Sequence, residues 1–562
     1  MTRCIGRVRG PSVDVWWGLT IGVLAGLFFL PALRNGFVWD DDVNLVSNPN
    51  FRGLGLVQLR WMLTTAWSTH PIWGGQWIPL TWLSFALDYL AWGLNPVGYH
   101  LTNLAIHAAN AALFFVVARR LLARAVEAAG EGVLRLGAAT AALFWALHPL
   151  RVESVVWATE RRDVLSGFFF LLTVLTYVRA TEGEGPQRRR WLTWSVGSYA
   201  LAIASKATVV TLPLALLVLD AYPLGRLRGQ WRARLGEKAP YLLLAAADVA
   251  LTLHAARLAA PRALYRYALP ARIAMALYGL WFYIEKMLFP LRLSPLYELP
   301  AAVSPLEPRF IASALAVVTI TASVWLLRRR WTAGLAVWVG YGVLLAPMSG
   351  FTQIGFHLAA NRYSYLPSLG PALLVGAGAG VAVAFGRRSA PACARLMLVV
   401  IATVILGQGI LTASEVGAWA TAETLWQSAL DADPACGLCH GNLGAALERE
   451  ELWEPAVPHL EAALALRPNL VAFQANLGLA LFRTGRSAEA VTHFRLAIAA
   501  IPADANLRAH FGLALLAVGQ PEEAHDQFRF ALRLDPSNAE ARANLAAQPV
   551  RPGQLGDEPN DQ

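Results

Sequence analysis

The sequence predicts an all-α chain in two parts: a polytopic membrane helix bundle of about eleven crossings, then a solenoid of paired helices. Three observations predict it. The 562 residues are 56% hydrophobic and only 15% charged, where a soluble chain of this length carries about 25%. Apolar runs alternate with short basic loops from residue 15 to about 412. From residue 414 onward charge and polarity are those of a globular domain, and one spacing recurs every 34 residues. The domains are therefore a membrane domain at 1–413, a repeat domain at 414–548 and a polar, disordered tail at 549–562.

The N-terminus carries Arg3, Arg7 and Arg9 before an apolar run at 16–33, which Arg34-Asn35-Gly36 follows in place of a small-residue cleavage site. It reads as an uncleaved signal anchor. Basic clusters at Arg119-Arg120-Arg124, Arg188-Arg189-Arg190, Arg226-Arg228-Arg232-Arg234, Arg328-Arg329-Arg330 and Arg387-Arg388 mark the cytoplasmic side. The net charge of +10 is thus spent on orientation and does not point to nucleic acid.

An even number of crossings must separate consecutive clusters. That makes 191–221 a hairpin turning near Lys206, with short arms, and leaves one of three runs between Arg234 and Arg328 outside the bilayer. The run at 272–291, which holds Glu285, Lys286 and Pro290, reads as re-entrant or interfacial. Crossings then fall near 14–33, 99–122, 134–148, 164–178, 191–205, 207–221, 240–257, 309–327, 332–347, 367–386 and 395–412. An odd count puts residue 414 onward outside. Alanine- and arginine-rich usage points to a bacterium, so the expected location is the inner membrane, with the repeats in the periplasm.

In the repeat domain Pro434, Pro468, Pro502 and Pro536 recur at the 34-residue spacing, as do Gly444, Gly478 and Gly512, and Ala456, Ala490 and Ala524. Small residues let two antiparallel helices touch, and proline ends the second helix of each pair. This is the tetratricopeptide pattern: three full repeats at about 437–538 with a half repeat on each side. Such arrays bind proteins or peptides on a concave face, or serve as spacers. Cys436-Gly-Leu-Cys439-His440 spells a c-type haem attachment pattern at a repeat junction; a periplasmic disulfide and plain packing thiols are the other readings.

Chemistry gathers in the outer loops. Asp40, Asp41 and Asp42 follow the first crossing, and crowded carboxylates raise a pKa and favour a base, a metal or a cationic partner. The second outer loop holds His148, Arg151, Glu153, Glu160, Arg161, Arg162 and Asp163. Three arginines there oppose the orientation rule, and arginine pairs with phosphate. Residues 257–272 hold four more arginines; Lys206 and Asn361-Arg362-Tyr363 also face outward. On the second crossing His100, Asn103, His107 and Asn110 share one helical face, for interhelical hydrogen bonds or to line a cavity.

The runs Phe37-Val38-Trp39-Asp40-Asp41, Pro79-Leu-Thr-Trp-Leu-Ser-Phe, His148-Pro-Leu-Arg-Val-Glu-Ser-Val with Glu160-Arg-Arg-Asp163, Ser205-Lys206 and Asn361-Arg-Tyr-Ser-Tyr-Leu-Pro367, in this order and before the repeats, resemble the transmembrane and tetratricopeptide-repeat O-mannosyltransferases and their bacterial relatives. The resemblance spans nearly the whole chain, with fewer repeats and a third acid, Asp42. It implies a GT-C-like glycosyltransferase fold that moves a sugar, mannose in the named family, from a polyprenyl phosphate to a protein or glycan hydroxyl at the outer face.

In that picture Asp40 or Asp41 is the general base. Glu153 and His148 line the second-loop side and hold the sugar or a divalent metal, the one cofactor to look for. Arg151, Arg161, Arg162, Lys206 and Arg362 neutralise the leaving phosphate, and the repeats engage a protein acceptor or partner. The competing reading is a membrane-anchored interaction scaffold without catalysis, which leaves the loop charges idle. A transporter or lipid flippase would want mid-membrane ionisable groups and repeated helices, and neither stands out.

Overall fold

The computed structural model describes residues 11–68, 76–126, 129–259, 267–351, 355–468 and 470–547. Arg3, Cys4, Arg7, Arg9, Arg262, Arg266 and the tail at 549–562 lie outside the described residues. The chain divides into two compact units, Met1–Leu425 and Trp426–Gln562.

The first unit runs α1 (Pro11–Leu27), α2 (Leu56–Thr64), α3 (Pro79–Trp92), α4 (Pro96–Ala125), α5 (Glu131–Ala146), α6 (Val152–Val156), α7 (Arg161–Glu182), α8 (Gly185–Ser205), α9 (Leu212–Ala221), α10 (Trp231–Gly236), α11 (Ala239–Ala259), α12 (Leu269–Leu288), α13 (Pro308–Leu326), α14 (Thr332–Leu345), α15 (Leu369–Ser389) and α16 (Pro391–Ala418). A short antiparallel pair, β1 (Tyr297–Glu298) and β2 (His357–Ala359), sets Glu298 opposite His357.

Each of the eleven expected crossings falls on a helix. Among the described residues five helices are long and apolar enough to span, α4, α13, α15, α16 and Ala158–Glu182, and the bent pair Glu131–Ala146 with Pro149–Val156 makes up to six. Shorter apolar helices occupy Val13–Leu27, Ala207–Ala221, Ala239–Ala255 and Thr332–Met348. The chain is a multi-pass membrane protein. The arm before Lys206 is longer than expected, because α8 starts at Gly185 and takes Arg188–Arg190 into its first turns. The run expected at the interface is α12, which buries Ala271, Ala274, Met275, Gly279, Phe282, Tyr283 and Met287, a single amphipathic stripe.

The long α4 organises the bundle. Asn95 caps it, accepting the Val97 N–H, and Pro96 occupies its first turn. Its buried face, from Tyr99 through His107 to Leu122, packs against α1, α5 and α7. Helices α5 and α15 approach closely because Gly137 and Gly376 present no side chains to each other: a Cβ at Gly137 would stand 2.8 Å from the Gly376 carbonyl oxygen.

The second unit continues from α17 (Ala422–Ala432) into three antiparallel pairs: α18 (Gly437–Arg449) with α19 (Trp453–Leu466), α20 (Val471–Arg483) with α21 (Ser487–Ala500), and α22 (Ala505–Ala517) with α23 (Pro521–Leu534), closed by α24 (Ala539–Ala547). The recurring glycines are contact points: a Cβ at Gly444, Gly478 or Gly512 would lie 2.6, 2.9 or 2.6 Å from Leu460, Phe494 or Phe528 of the partner helix. Between paired helices a polar contact also repeats, His440–His459, Gln474–His493 and Arg508–Gln527. Cys436 and Cys439 are joined in a disulfide at the start of α18, so neither sulfur is a thiol available to haem. His440 Nε2 meets the Pro434 carbonyl at 3.2 Å, a contact that Arg508 makes to Pro502.

Candidate active site

The first loop is locked to the second by Asp41. This buried carboxylate accepts the Thr159 N–H at 2.7 Å and hydroxyl at 2.6 Å through Oδ1, and the Val38 N–H at 3.1 Å through Oδ2. Burial pushes its pKa up to about 7, against those three bonds. Trp39, held in the left-handed region at φ 56°, stacks on Trp157 with centroids 4.6 Å apart and planes 4° from parallel. A tryptophan tolerates that backbone only where its surroundings over-determine it.

Asp40 differs from its neighbour. It is half-buried, and its carboxylate makes no hydrogen bond or ion pair among the described residues. Burial raises its pKa, offset in part by Arg162 and then Arg362, with Glu160 adding to the rise. Asp40 therefore stands in the field of a charged cluster from three other segments.

That cluster is dense. Glu160 is fully buried and takes Arg162 at 2.6 Å, Lys206 at 3.0 Å and Arg362 at 3.2 Å. Lys206 also bonds Asp163 at 2.6 Å, and Ser154 donates to Asp163 at 3.1 Å. Glu153 receives the Arg362 side chain, and the Arg362 backbone N–H at 3.1 Å. Arg162 reaches Gln76 at 2.9 Å. Three cations thus face Glu153, Glu160, Asp163 and Asp40. Arg162 keeps 17% of its side chain exposed and borders the surface, while Lys206 and Arg362 are buried behind it.

Five other expected site residues stand elsewhere. Arg161 turns into the protein, pairing with Asp88 at 2.6 Å and donating to the Tyr99 carbonyl at 2.9 Å. Successive helical residues are rotated by about 100°, which separates it from Arg162. His100 meets the Gly36 carbonyl at 3.3 Å, and His107 bridges the Tyr365 hydroxyl at 2.9 Å and the Ala146 carbonyl at 3.1 Å. His148 ties Met287 to Leu150. These histidines fasten helices and loops together. Arg151 is buried beside Trp145 and Tyr365 and donates to Ser364 at 2.5 Å, below the cluster.

Two further members of the cluster, Glu160 and Asp163, belong to the second-loop run, where an acid beside arginines is the sequence signal for them. Among the described residues no three His, Cys, Asp or Glu side chains converge as metal ligands.

A cavity of about 500 Å3 runs between α4, α7, α9, α14 and α15. Its lining is apolar, from Val126, Tyr222, Pro223 and Trp331 at the basic-loop end to Leu344, Pro367 and Leu369 at the other. Along α14 that is roughly 20 Å. Pro367, which lines that end, follows the Asn361–Ser364 turn that carries Arg362.

No family model matches the chain. Protein O-mannosyl-transferase Tmtc3 of Drosophila melanogaster is 25% identical over 531 residues, 83% of this chain and 56% of that protein. Tmtc1 of the same organism is 36% identical over 160 residues, 28% of this chain and 17% of that protein. The chain thus spans about half, or less, of the curated relatives it matches. Among solved structures, ArnT from Cupriavidus metallidurans bound to undecaprenyl phosphate aligns over 87% of this chain and 80% of its own, at 17% identity and a TM-score of 0.33. The resemblance read from the loop motifs and the repeats is borne out: the relatives that this chain matches are proteins named protein O-mannosyl-transferases.

Proposed function

We propose that this chain is a membrane glycosyltransferase of GT-C type, moving a sugar from a polyprenyl-phosphate donor to a hydroxyl of a protein acceptor at the outer face. Mannose is the sugar in the names of its relatives. One observation carries the reading: of the two first-loop acids expected as base, Asp41 is consumed by three hydrogen bonds while Asp40 faces Arg162 and Arg362 without a bonded partner.

In this reaction the Asp40 carboxylate takes the acceptor hydroxyl proton as that oxygen attacks the anomeric carbon. The bond from that carbon to the phosphate oxygen breaks, and the phosphate leaves with the electron pair. Attack opposite the leaving group inverts the anomeric centre. Arg162, Lys206 and Arg362 offset the charge that develops on the phosphate. The apolar cavity supports the donor class, since it offers a hydrocarbon chain an apolar lining between the helices. The disulfide in the repeat unit supports a periplasmic location for the repeats, because such bonds persist in oxidising compartments.

The test is transfer from mannosyl-phosphoryl-polyprenol to a Ser/Thr-rich peptide by the full chain in proteoliposomes. Asp40→Asn is expected to lower kcat by roughly 10²–10⁴-fold, the usual contribution of a general base, with the variant folded. Undiminished transfer by that variant would remove the base. Absence of transfer by the parent with this donor, alongside retained peptide binding by the repeats, would favour the scaffold reading.

A further inference from the structure

Arg362 is held on its edges by carboxylates and sits close to two rings. Its Nε meets Glu160 and its Nη1 meets Glu153. Its Cζ lies 5.4 Å from the Trp157 ring centroid and 5.1 Å from that of Tyr363. Trp157 in turn stacks on Trp39, next to Asp40. At the other end the Tyr363 hydroxyl lies 2.5 Å from His357 Nε2. A continuous run of contacts therefore links His357, Tyr363, Arg362, Trp157 and Trp39, joining β2 to the second loop and the second loop to the first.

We propose that His357 and Tyr363 form a positioning pair that fixes the Arg362 guanidinium against the Trp157–Trp39 stack, and so sets its distance from Asp40. This rests on the reading of the site given above. Neither residue needs to touch substrate for this role. Tyr363 is one wall beside Arg362, and its ring orientation is set by the hydroxyl bonded to His357. Burial, with Arg362 beside it, pushes the His357 pKa down to about 3. The imidazole thus stays neutral among Arg362, Arg162 and Lys206 and accepts the tyrosine proton across the working pH range. The ring pair lies within cation–π reach, where such contacts orient a guanidinium as well as bind it.

The consequence is kinetic. An arginine whose placement slackens should bind and neutralise the donor phosphate less well, while acceptor binding is untouched. The experiment measures donor and acceptor KM and kcat for the full chain in proteoliposomes, with mannosyl-phosphoryl-polyprenol and the same peptide. The variants are His357→Leu, Tyr363→Phe, the double variant, His357→Gln and Asp40→Asn.

The single variants His357→Leu and Tyr363→Phe are expected to lower kcat/KM for the donor about tenfold, with acceptor KM unchanged. The double variant should fall no further, because both changes break one hydrogen bond. His357→Gln, which keeps an acceptor, should recover most of the loss. Thermal unfolding in detergent separates a folding defect from a kinetic one, and Tyr363→Phe, which keeps the ring, is the variant expected to fold in any case.

Donor kinetics within twofold of the parent for Tyr363→Phe and His357→Leu would overturn the positioning role, as would additive losses or an unrescued His357→Gln. If Asp40→Asn transfers sugar normally, the base assignment fails instead, so the two failures are distinguishable.

Discussion

Among the described residues of the first unit two buried ionic clusters stand out, and only one has the makings of a site. One surrounds Glu160, with Arg162, Lys206 and Arg362. The other lies at the opposite, basic-loop end. There Asp220 takes the Tyr177 hydroxyl at 2.8 and 2.7 Å, Arg226 at 2.8 Å and Lys238 at 2.6 Å, while Glu237 takes Arg226 at 2.9 Å and Arg188 at 2.5 Å. Lys238 and Asp220 are wholly enclosed. Every acid there is matched, and the network staples the 222–238 segment to α7 and α9. The Glu160 cluster differs in having Asp40, a carboxylate without a bonded partner, in the field of Arg162, which keeps 17% of its side chain exposed. Buried charge by itself marks structure; an unmatched acid beside a partly exposed cation marks chemistry.

The widest expected split between the two clusters comes from one substitution in each. Asp40→Asn should lose roughly two to four orders of magnitude in kcat and keep its unfolding midpoint. Lys238→Met should leave activity per folded molecule intact but destabilise the chain by about 3–5 kcal/mol, the usual consequence of removing one partner of an enclosed pair. Thermal unfolding in detergent, read beside transfer, checks both. An inactive but stable Lys238→Met would erase the distinction.

A second prediction separates Asp40 from Asp41. Asp40 must be ionised to act, and burial raises its pKa, so transfer should rise with pH through an acid limb lying above the ordinary carboxylate range. The Asp41 proton is held to about pH 7 in the folded protein but leaves near 3.8 in an unfolded chain. Folding then favours the protonated form, and stability falls as pH rises between those values. Asp41→Asn, which cannot ionise, should flatten that slope in melting temperatures recorded across the interval. A slope unchanged by this substitution would show that Asp41 does not carry it.

Smaller effects belong to the stack. Trp39→Leu removes a ring pair, and with it about 0.5–1.5 kcal/mol beyond lost burial, while freeing a strained backbone. Its expected mark is a modest drop in unfolding midpoint.

Much of the site is legible because it breaks a rule: arginines in a loop that reads as outward have no topological reason to be there. That logic finds Arg162, the loop positions of Lys206 and Arg362 add those two, and the crowding of acids finds Asp40. It could not part Arg161 from Arg162, since their separation is made by the turn of α7. Likewise the polar stripe on α4 was readable as a stripe, but its partners, the Tyr365 hydroxyl and the Ala146 carbonyl, lie 258 and 39 residues away from His107. His357 belongs to no motif; it meets Tyr363 through the local fold of the segment that leaves β2. The repeats were plainest of all, because a period of 34 states its own helix contacts at Gly444, Gly478 and Gly512.

Outer-face transfer requires the acid–cation cluster to face away from the basic loops. Gln76, exposed and bonded to Arg162, and the exposed free thiol Cys393 should therefore lie on opposite sides of the membrane. A membrane-impermeant maleimide, applied to intact spheroplasts carrying Cys4→Ser with or without Gln76→Cys, reads this directly. Labelling of position 76 in intact spheroplasts, with Cys393 reactive only after permeabilisation, is the predicted result. Position 76 shielded until the membrane is opened, or labelled together with Cys393, would contradict outer-face transfer.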